Sequence, residues 1–262
     1  MVNIIPITKS GFLDRKWSAS DNYEFAAEYA TATLALGEIS QAMRSLPIGF
    51  VKHEGNFTLV AILGLKQGEN LFVNKKGDWI PGYKPAVLRS YPFSLVSSDK
   101  DQMVLAFDED SLSIPDASPT NLFFDENGEI TDELTSIMSF LTEVHTSYNR
   151  TIQLCKIIDS YNLFENWNIS IIRGDKEIKV DGVYKVDEDK LRALDGDALV
   201  NLQKGSALGL IYGHIFSGAN LSLLQKLANL RDNASKAQKD NIENVEEIFS
   251  YENQDNIDFS QL

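Results

Sequence analysis

The chain has 262 residues, of which 43% are hydrophobic, enough for a packed core in one large domain or two small ones. Lysine and arginine number 24 against 38 aspartates and glutamates, which gives a formal net charge of −14 and argues against partners that are phosphate backbones or anionic membranes. The single cysteine, Cys155, excludes an intrachain disulfide and a zinc site built from thiolates.

The N-terminal part is predicted to be rich in strands. The segment NIIPIT at 3–8 indicates an edge strand, since Pro6 has no main-chain N–H for a second neighbour. The segment Tyr29–Leu36 favours a strand, although its alanines also permit a helix. A helix is predicted at Glu38–Leu46, and two strands joined at 53–56 are predicted in the segment that follows it.

Glycines and prolines divide the stretch Gly68–Phe93 into successive turns. A hairpin is predicted with strands at 70–73 and 78–80, because Gly77 can adopt the left-handed conformation of its loop. The pair Pro81-Gly82 predicts a type II turn. Pro85 is placed to begin a helix over Ala86–Tyr91, and Pro92 ends it.

A further strand is predicted at Asp101–Asp110, which would place the carboxylates of Asp108 and Asp110 on one face, about 7 Å apart. Such a pair can divide acid and base roles or hold a cation, but an acidic strand end facing solvent is the alternative. A long amphipathic helix is predicted over Thr131–Tyr161, with apolar residues at three- and four-residue steps.

The C-terminal part begins with a hairpin whose strands are predicted at Trp167–Arg173 and Lys176–Val186. Three helical segments follow, and the last of them, Ser206–Leu230, is broken near Gly218. The composition then becomes acidic and poor in apolar residues, which indicates an extension over 231–262.

These elements predict an α+β fold. A mostly antiparallel sheet in the N-terminal half packs on the long helix, and the C-terminal part is helical, because the connections are too short for parallel crossovers. We expect one domain over 1–230, β-rich at 1–112 and helix-rich at 130–230.

Motifs of known chemistry are absent from the sequence. His53, His145 and His214 lie far apart, and neither a nucleophile elbow nor a phosphate-binding glycine loop occurs. The motif Asp125–Gly128 is interpreted as a capped turn rather than a calcium loop, and Cys155 as a buried apolar residue. We therefore predict no cofactor, no metal and no catalytic residue.

The longest apolar runs, such as 59–65, are far shorter than the roughly 20 residues that cross a bilayer. The N-terminus lacks the basic start and long apolar stretch of a signal peptide. We expect a soluble, cytoplasmic protein without membrane insertion.

Aromatic and arginine residues in the turn-rich stretch are the candidates for a binding surface, since these residue types dominate binding hot spots. Each has a structural alternative: Trp79 in the core, tyrosine hydroxyls at the core's edge, and Arg89 at a helix end or beside a carboxylate. The candidate binding residues are Trp79, Tyr83, Arg89, Tyr91, Asp108 and Asp110.

The segment ILGLKQGENLFVNKKGDWIPGYKPAVLRSYPF resembles a pattern of the bacterial SapC family. Later segments agree with the resemblance, among them DEDS at Asp108–Ser111, LFFDENGEIT at Leu122–Thr131 and GVYKVDEDKLRAL at Gly182–Leu194. The resemblance implies a link to a surface-layer locus and to neighbouring genes for outer-membrane receptors or modifying enzymes. Some members are labelled peptide-transporter permeases, a label that the short apolar runs contradict. It implies no catalytic residue.

Two functional hypotheses follow. In the first, the protein is a non-catalytic accessory protein that binds a polypeptide partner linked to cell-surface or outer-membrane proteins. In the second, it is an enzyme or a cofactor-binding domain that uses Asp108 and Asp110 with the region of Trp79 and Arg89 around one cleft. The position of the two carboxylates relative to Trp79 and Arg89 distinguishes them.

Overall fold

A computed structural model describes residues 3–19, 22–80, 82–98, 102–113, 120–174 and 176–234. The strands are β1 (Ile4–Pro6), β2 (Lys16–Trp17), β3 (Thr31–Thr33), β4 (Ile48–His53), β5 (Asn56–Ile62), β6 (Phe93–Ser97), β7 (Met103–Asp108), β8 (Asn121–Leu122), β9 (Phe164–Asn166), β10 (Ile169–Arg173), β11 (Lys176–Val180) and β12 (Val183–Val186). The helices are α1 (Lys9–Phe12), α2 (Ile39–Ala42), α3 (Ala86–Arg89), α4 (Asp132–Ser160), α5 (Glu188–Arg192), α6 (Gly196–Lys204), α7 (Ala207–Ser217) and, after a 3-10 turn, α8 at 221–234. The acidic extension predicted at 231–262 lies outside the described residues from 235 onward.

The α+β prediction is confirmed, with helices and antiparallel sheets both present. A five-stranded sheet has the order β3-β5-β4-β12-β9, and a three-stranded sheet has the order β1-β7-β6. All pairings between the described strands are antiparallel, as the short connections require. The strands β3 and β6 each lie at an edge of their sheet.

The second strand of the C-terminal hairpin is shorter than predicted. The chain turns at Gly182, where φ is +79°, so that β11 pairs with β10 while β12 pairs with β4 and β9 in the five-stranded sheet. Apolar and polar residues alternate on both sides of Gly182, as they would in one continuous strand. Only the pairing with distant strands shows that β11 and β12 are separate.

Two hydrophobic cores fill the molecule. The larger lies on the five-stranded sheet and contains Phe50, Leu59 and Ile211. The smaller lies on the three-stranded sheet, where Phe93, Phe107 and other aromatic rings meet edge to face. Each core buries the inner face of one sheet, as the alternation of apolar residues in its strands requires.

Helix α4 joins the two cores. It begins after Thr131, whose hydroxyl accepts a hydrogen bond from the main-chain N–H of Leu134, and its bounds confirm the sequence prediction closely. Leu134 and Leu141 in its first half belong to the smaller core, whereas Cys155 and Ile158 in its second half belong to the larger. Burial raises the pKa of the Cys155 thiol to about 12, so this cysteine packs as an apolar residue.

The run of helix at 207–234 is long and apolar enough, by length and composition, to cross a membrane. The prediction of no such segment rested on uninterrupted apolar runs, which Gly209, Gly213 and Gly218 divide. In this fold 39% of the most apolar stretch of the run is buried against the rest of the chain. Gly213 allows the close approach to α2, because a Cβ there would lie 2.3 Å from Cγ2 of Ile39.

His214 connects three elements from within the larger core. Its Nδ1–H donates to the Ile48 carbonyl on β4 at 2.7 Å, and its Nε2 accepts from the Val186 N–H on β12 at 3.2 Å. Burial lowers the pKa of His214 to about 4, against a smaller opposing effect of the Ile48 carbonyl. The imidazole is therefore neutral at pH 7, and both of its nitrogens have partners.

We expect the protein to lose stability as the pH falls below about 6.5, the pKa of an unfolded histidine. The unfolded chain then binds a proton at His214 that the folded chain does not bind until about pH 4, so one histidine lowers the free energy of unfolding by about 2 kcal/mol between pH 7 and 5. Urea unfolding at both pH values measures the loss. H214Q has no titratable group at this position, so the difference in its free energy of unfolding between pH 7 and pH 5 should be smaller by about 2 kcal/mol. An unchanged difference contradicts the prediction.

Candidate functional site

The six candidate residues occupy three different environments. Trp79 lies in the larger core, where its ring stacks on Phe72 with centroids 5.6 Å apart and packs against Tyr23 at 5.7 Å. Its indole N–H finds no acceptor among the described residues. The strands predicted on either side of its hairpin are reduced to one bridge between Val73 and Trp79, and residue 81 of the predicted type II turn lies outside the described residues.

Tyr83 and Arg89 lie together beside a buried carboxylate that the sequence did not indicate. Oε1 of Glu38 accepts from the Tyr83 hydroxyl at 3.0 Å and from the Ala86 N–H at 2.6 Å, while Oε2 accepts from the Ala35 N–H at 2.8 Å. Arg89 donates to the Tyr83 hydroxyl from its other side. Burial, together with the charge of Glu38, raises the pKa of Tyr83 to about 12.

Tyr91, Asp108 and Asp110 form the third group. Asp108 is buried at the end of β7 and accepts hydrogen bonds from the main-chain N–H groups of Asn3 and Asp110. Burial and a hydrogen bond to Asp108 raise the pKa of Tyr91. The ring of Tyr91 stacks on Phe25, with centroids 3.8 Å apart.

The prediction that Asp108 and Asp110 share one face of a strand is wrong. The strand ends at Asp108, and the chain enters a 3-10 turn at Glu109. Asp110 is exposed in that turn, because its N–H bonds back to the Asp108 carboxylate and the pleat is lost. The charge of Asp110 still acts on the Tyr91 hydroxyl, so the two carboxylates remain near one aromatic ring.

A groove runs between the two sheets beside this third group. It consists of two adjoining cavities of about 360 and 280 Å³, which share Thr33, Val87, Ser90 and Ser94 in their linings. Asp108 and Tyr91 line the larger cavity, and Leu141 of α4 lines the smaller. We call this feature the inter-sheet groove; it is defined by the segments 31–35 and 90–95 as its walls and by parts of α3 and α4.

The first wall of the inter-sheet groove is the free edge of β3. Leu34 N–H donates to the Leu59 carbonyl, and the Ala30 carbonyl accepts from Leu63 N–H, so the even-numbered residues of this strand bond to β5. In an antiparallel ladder the alternate residues then direct their main-chain groups outward. The N–H and C=O groups of Thr31 and Thr33 therefore face away from the sheet, towards the groove.

The second wall contains the free edge of β6, a strand that the sequence pattern did not predict. Asp108 N–H donates to the Pro92 carbonyl and Ser98 N–H to the Gln102 carbonyl, so even-numbered residues of β6 bond to β7. The main-chain groups of Leu95 consequently point outward. The buried Ser94 hydroxyl, which lines both cavities, has no partner among the described residues.

Glu69 and Asn70, which belong to the segment that resembles the SapC pattern, are buried and structural. Asn70 is fully buried, donates to the Ala26 carbonyl and accepts from Phe72 N–H. Glu69 pairs with Arg173 at 2.7 Å, and Arg173 also makes a two-bond contact with Asp232. Thus Asp232, predicted to lie in the extension, belongs to the folded domain.

Comparison with known proteins identifies the family. The sequence pattern that defines the SapC family matches residues 7–224, most of the chain. The chain belongs to the SapC family. No curated protein and no solved structure matches it. The SapC match includes both walls of the inter-sheet groove, the Glu38 cluster and the pair of Glu69 and Arg173, but not Asp232.

Sequence reasoning did not identify the polar residues that organise this SapC domain. Glu38 lies between the apolar residues Leu36 and Ile39, and a lone charge in such a setting is the available signal for a buried carboxylate. Ser94 gave no signal, because its surroundings depend on the pairing of β6 with β7. Among the described residues no cluster of three or more histidine, cysteine or acidic side chains could hold a metal ion.

Proposed function

We propose that the protein is a non-catalytic accessory protein that binds a segment of a polypeptide partner in extended conformation in the inter-sheet groove. The observation that carries the proposal is that β3 and β6, two edge strands with outward main-chain groups, contribute to opposite walls of one groove. An extended peptide supplies the complementary N–H and C=O groups and adds as a strand.

Uncovered apolar side chains at the groove support this occupant. Ile4, Tyr29 and Val87 line the larger cavity and are large hydrophobic residues left exposed on the surface. Apolar side chains beside free main-chain groups suit a peptide better than a small polar metabolite, since they can pack against side chains of the added strand.

The source of the peptide is proposed from the family resemblance, which links such proteins to the cell surface and to outer-membrane proteins. With a net charge of −14, the protein is a poor match for nucleic acid or an anionic membrane surface. We propose that it meets its partner in the cytoplasm without inserting into a membrane, with the buried side of α7 packed on the larger core.

One observation favours the second candidate, an enzyme or cofactor-binding domain: Asp108 lines a cavity beside Tyr91. The other members of that hypothesis face elsewhere, Trp79 in the larger core and Arg89 beside Tyr83. This leaves Asp108, Asp110 and Tyr91 without Trp79 and Arg89, so peptide binding accounts for more of the groove.

V87R tests the proposal, because Val87 lines both cavities and its exposure of 47% lets the domain tolerate the change. Peptides are selected from a displayed random heptapeptide library against the full chain, and their affinity is measured by fluorescence anisotropy. V87R should weaken them by about tenfold or more, since a long charged side chain fills the groove. The matched control is V200R on α6, whose native side chain is 43% exposed. Failure to select any peptide, or equal binding to both variants, contradicts the proposal.

Two substitutions of Thr33 distinguish recognition of the peptide by the main chain of β3 from recognition by the Thr33 side chain. T33P removes an outward N–H that β5 does not use, a position where an edge strand tolerates proline, whereas T33A keeps the N–H. Loss of peptide affinity in T33P but not in T33A would support strand addition. Equal affinity in both variants would show that the peptide does not pair with β3.

A further inference from the structure

We infer that the inter-sheet groove selects a peptide with a lysine or arginine two positions from an apolar residue. This inference deepens the proposed function and rests on it. Side chains two positions apart in an extended strand lie on one face, about 7 Å from each other, and so can enter two adjoining cavities.

The larger cavity has the chemistry of a cation site. Asp108 lines it together with the aromatic residues Tyr91, Phe25 and Tyr29. Both main-chain hydrogen bonds to the Asp108 carboxylate end on Oδ1, whereas those to Glu38 use both of its oxygens. None of the residues that line this cavity is a lysine or arginine, so its negative charge is not neutralised from within the lining. A carboxylate together with aromatic faces attracts an ammonium or guanidinium group by charge and by cation–π contact.

The turn that follows Asp108 adds two further acidic residues, Glu109 and Asp110. Glu109 is paired with Arg15, but Asp110 is exposed in the same turn and acts on the Tyr91 hydroxyl. The whole chain carries an excess of 14 negative charges, which favours the approach of a basic peptide. An acidic side chain at this position would be repelled.

The smaller cavity has mostly apolar walls. Leu34, Val87, Leu95, Leu141 and Val144 line it. The Glu38 carboxylate at its side already accepts three hydrogen bonds, two of them from main-chain N–H groups. An aliphatic or aromatic side chain therefore fits this cavity.

The peptides selected against the full chain test the inference directly. We expect the recovered heptapeptides to share a lysine or arginine two positions from a large apolar residue, in one chain direction. Replacing that basic residue by methionine should weaken binding to the wild type by about tenfold, since a charge-assisted contact is lost.

D110N provides the matching change in the protein, because Asp110 is exposed and its removal leaves the end of β7 intact. It should weaken the basic peptide by about threefold and leave the methionine peptide unchanged, whereas D197N, on the exposed first turn of α6, should alter neither. D108N, checked for folding by circular dichroism, should weaken the basic peptide further.

The possible results distinguish the proposed peptide binding from the proposed preference for a basic residue. Peptides that bind, are blocked by V87R, and lack a basic residue would overturn this inference and leave the proposed function standing. The same holds if D110N and D197N affect the basic peptide equally. Peptides that bind regardless of V87R, or a selection that yields none, would overturn the proposed function and this inference with it.

Discussion

R173M is expected to lower the free energy of unfolding by about 3 kcal/mol, a large part of the stability of a typical domain. Arg173 and Glu69 form an ion pair at 2.7 Å, and their side chains are only 12% and 6% exposed. Removing the guanidinium leaves the Glu69 carboxylate buried without its cation. The hydrogen bonds to Asp232 raise the pKa of Arg173, so the arginine carries its charge throughout the accessible pH range.

Two comparisons define this prediction. R192M removes an arginine that is 71% exposed in its ion pairs with Glu188 and Asp189, and should change stability by less than about 0.5 kcal/mol. The double variant R173M/E69M should be less destabilised than the sum of its single changes, because no uncompensated charge stays buried. Urea unfolding at pH 7 is measured for the wild type, R173M, E69M, R173M/E69M and R192M. Additive losses in the double variant would show that the pair is not coupled.

E38A is expected to lower the free energy of unfolding by about 3 to 5 kcal/mol, because it leaves buried hydrogen-bond donors unsatisfied. The change leaves the main-chain N–H groups of Ala35 and Ala86 and the Tyr83 hydroxyl without their acceptor, and each buried donor costs about 1 to 3 kcal/mol when unsatisfied. The pKa of Tyr83 should also fall below its present value of about 12, because the charge of Glu38 contributes to raising it.

E143A is the control for this experiment, since Glu143 lies on the exposed face of α4 and should change stability by less than about 0.5 kcal/mol. Denaturant unfolding gives the free energies, and the absorbance of ionised tyrosine gives the titration. A loss below about 1 kcal/mol in E38A would mean that water replaces the carboxylate.

The sequence predicted those elements whose signals are local. The helix α4 was predicted from its apolar spacing, and its observed bounds differ from the prediction by one residue at each end. The start of α3 after Pro85 followed likewise from local geometry. The fold class followed from the short connections between strands.

What the sequence did not reveal depends on contacts between distant residues. The strand β6 exists because β7 pairs with it, and β12 belongs to the five-stranded sheet because β4 lies beside it. The acceptor that holds Tyr83 is 45 residues away in the chain. No periodicity of side chains within one segment encodes such pairings, so the groove between two sheets could not be predicted.

The six candidate residues do not form the single cluster that the second hypothesis requires. Aromatic and acidic residues do meet, yet Tyr91 joins Asp108 whereas Tyr83 and Arg89 join Glu38. Their positions along the chain gave no information on this division, since Arg89 and Tyr91 are only two residues apart. The end of α3 and the start of β6 direct them to different sides.

Helix α4, which passes through both cores, sets the width of the inter-sheet groove. Its 29 residues span about 43 Å, and its two halves are anchored in different cores, so each sheet is fixed to the same rod. Narrowing the groove would require α4 to bend or one of the two cores to repack along the helix. We infer that a peptide bound as proposed would add to walls already in place, so that the conformational entropy lost on binding would be almost wholly that of the peptide.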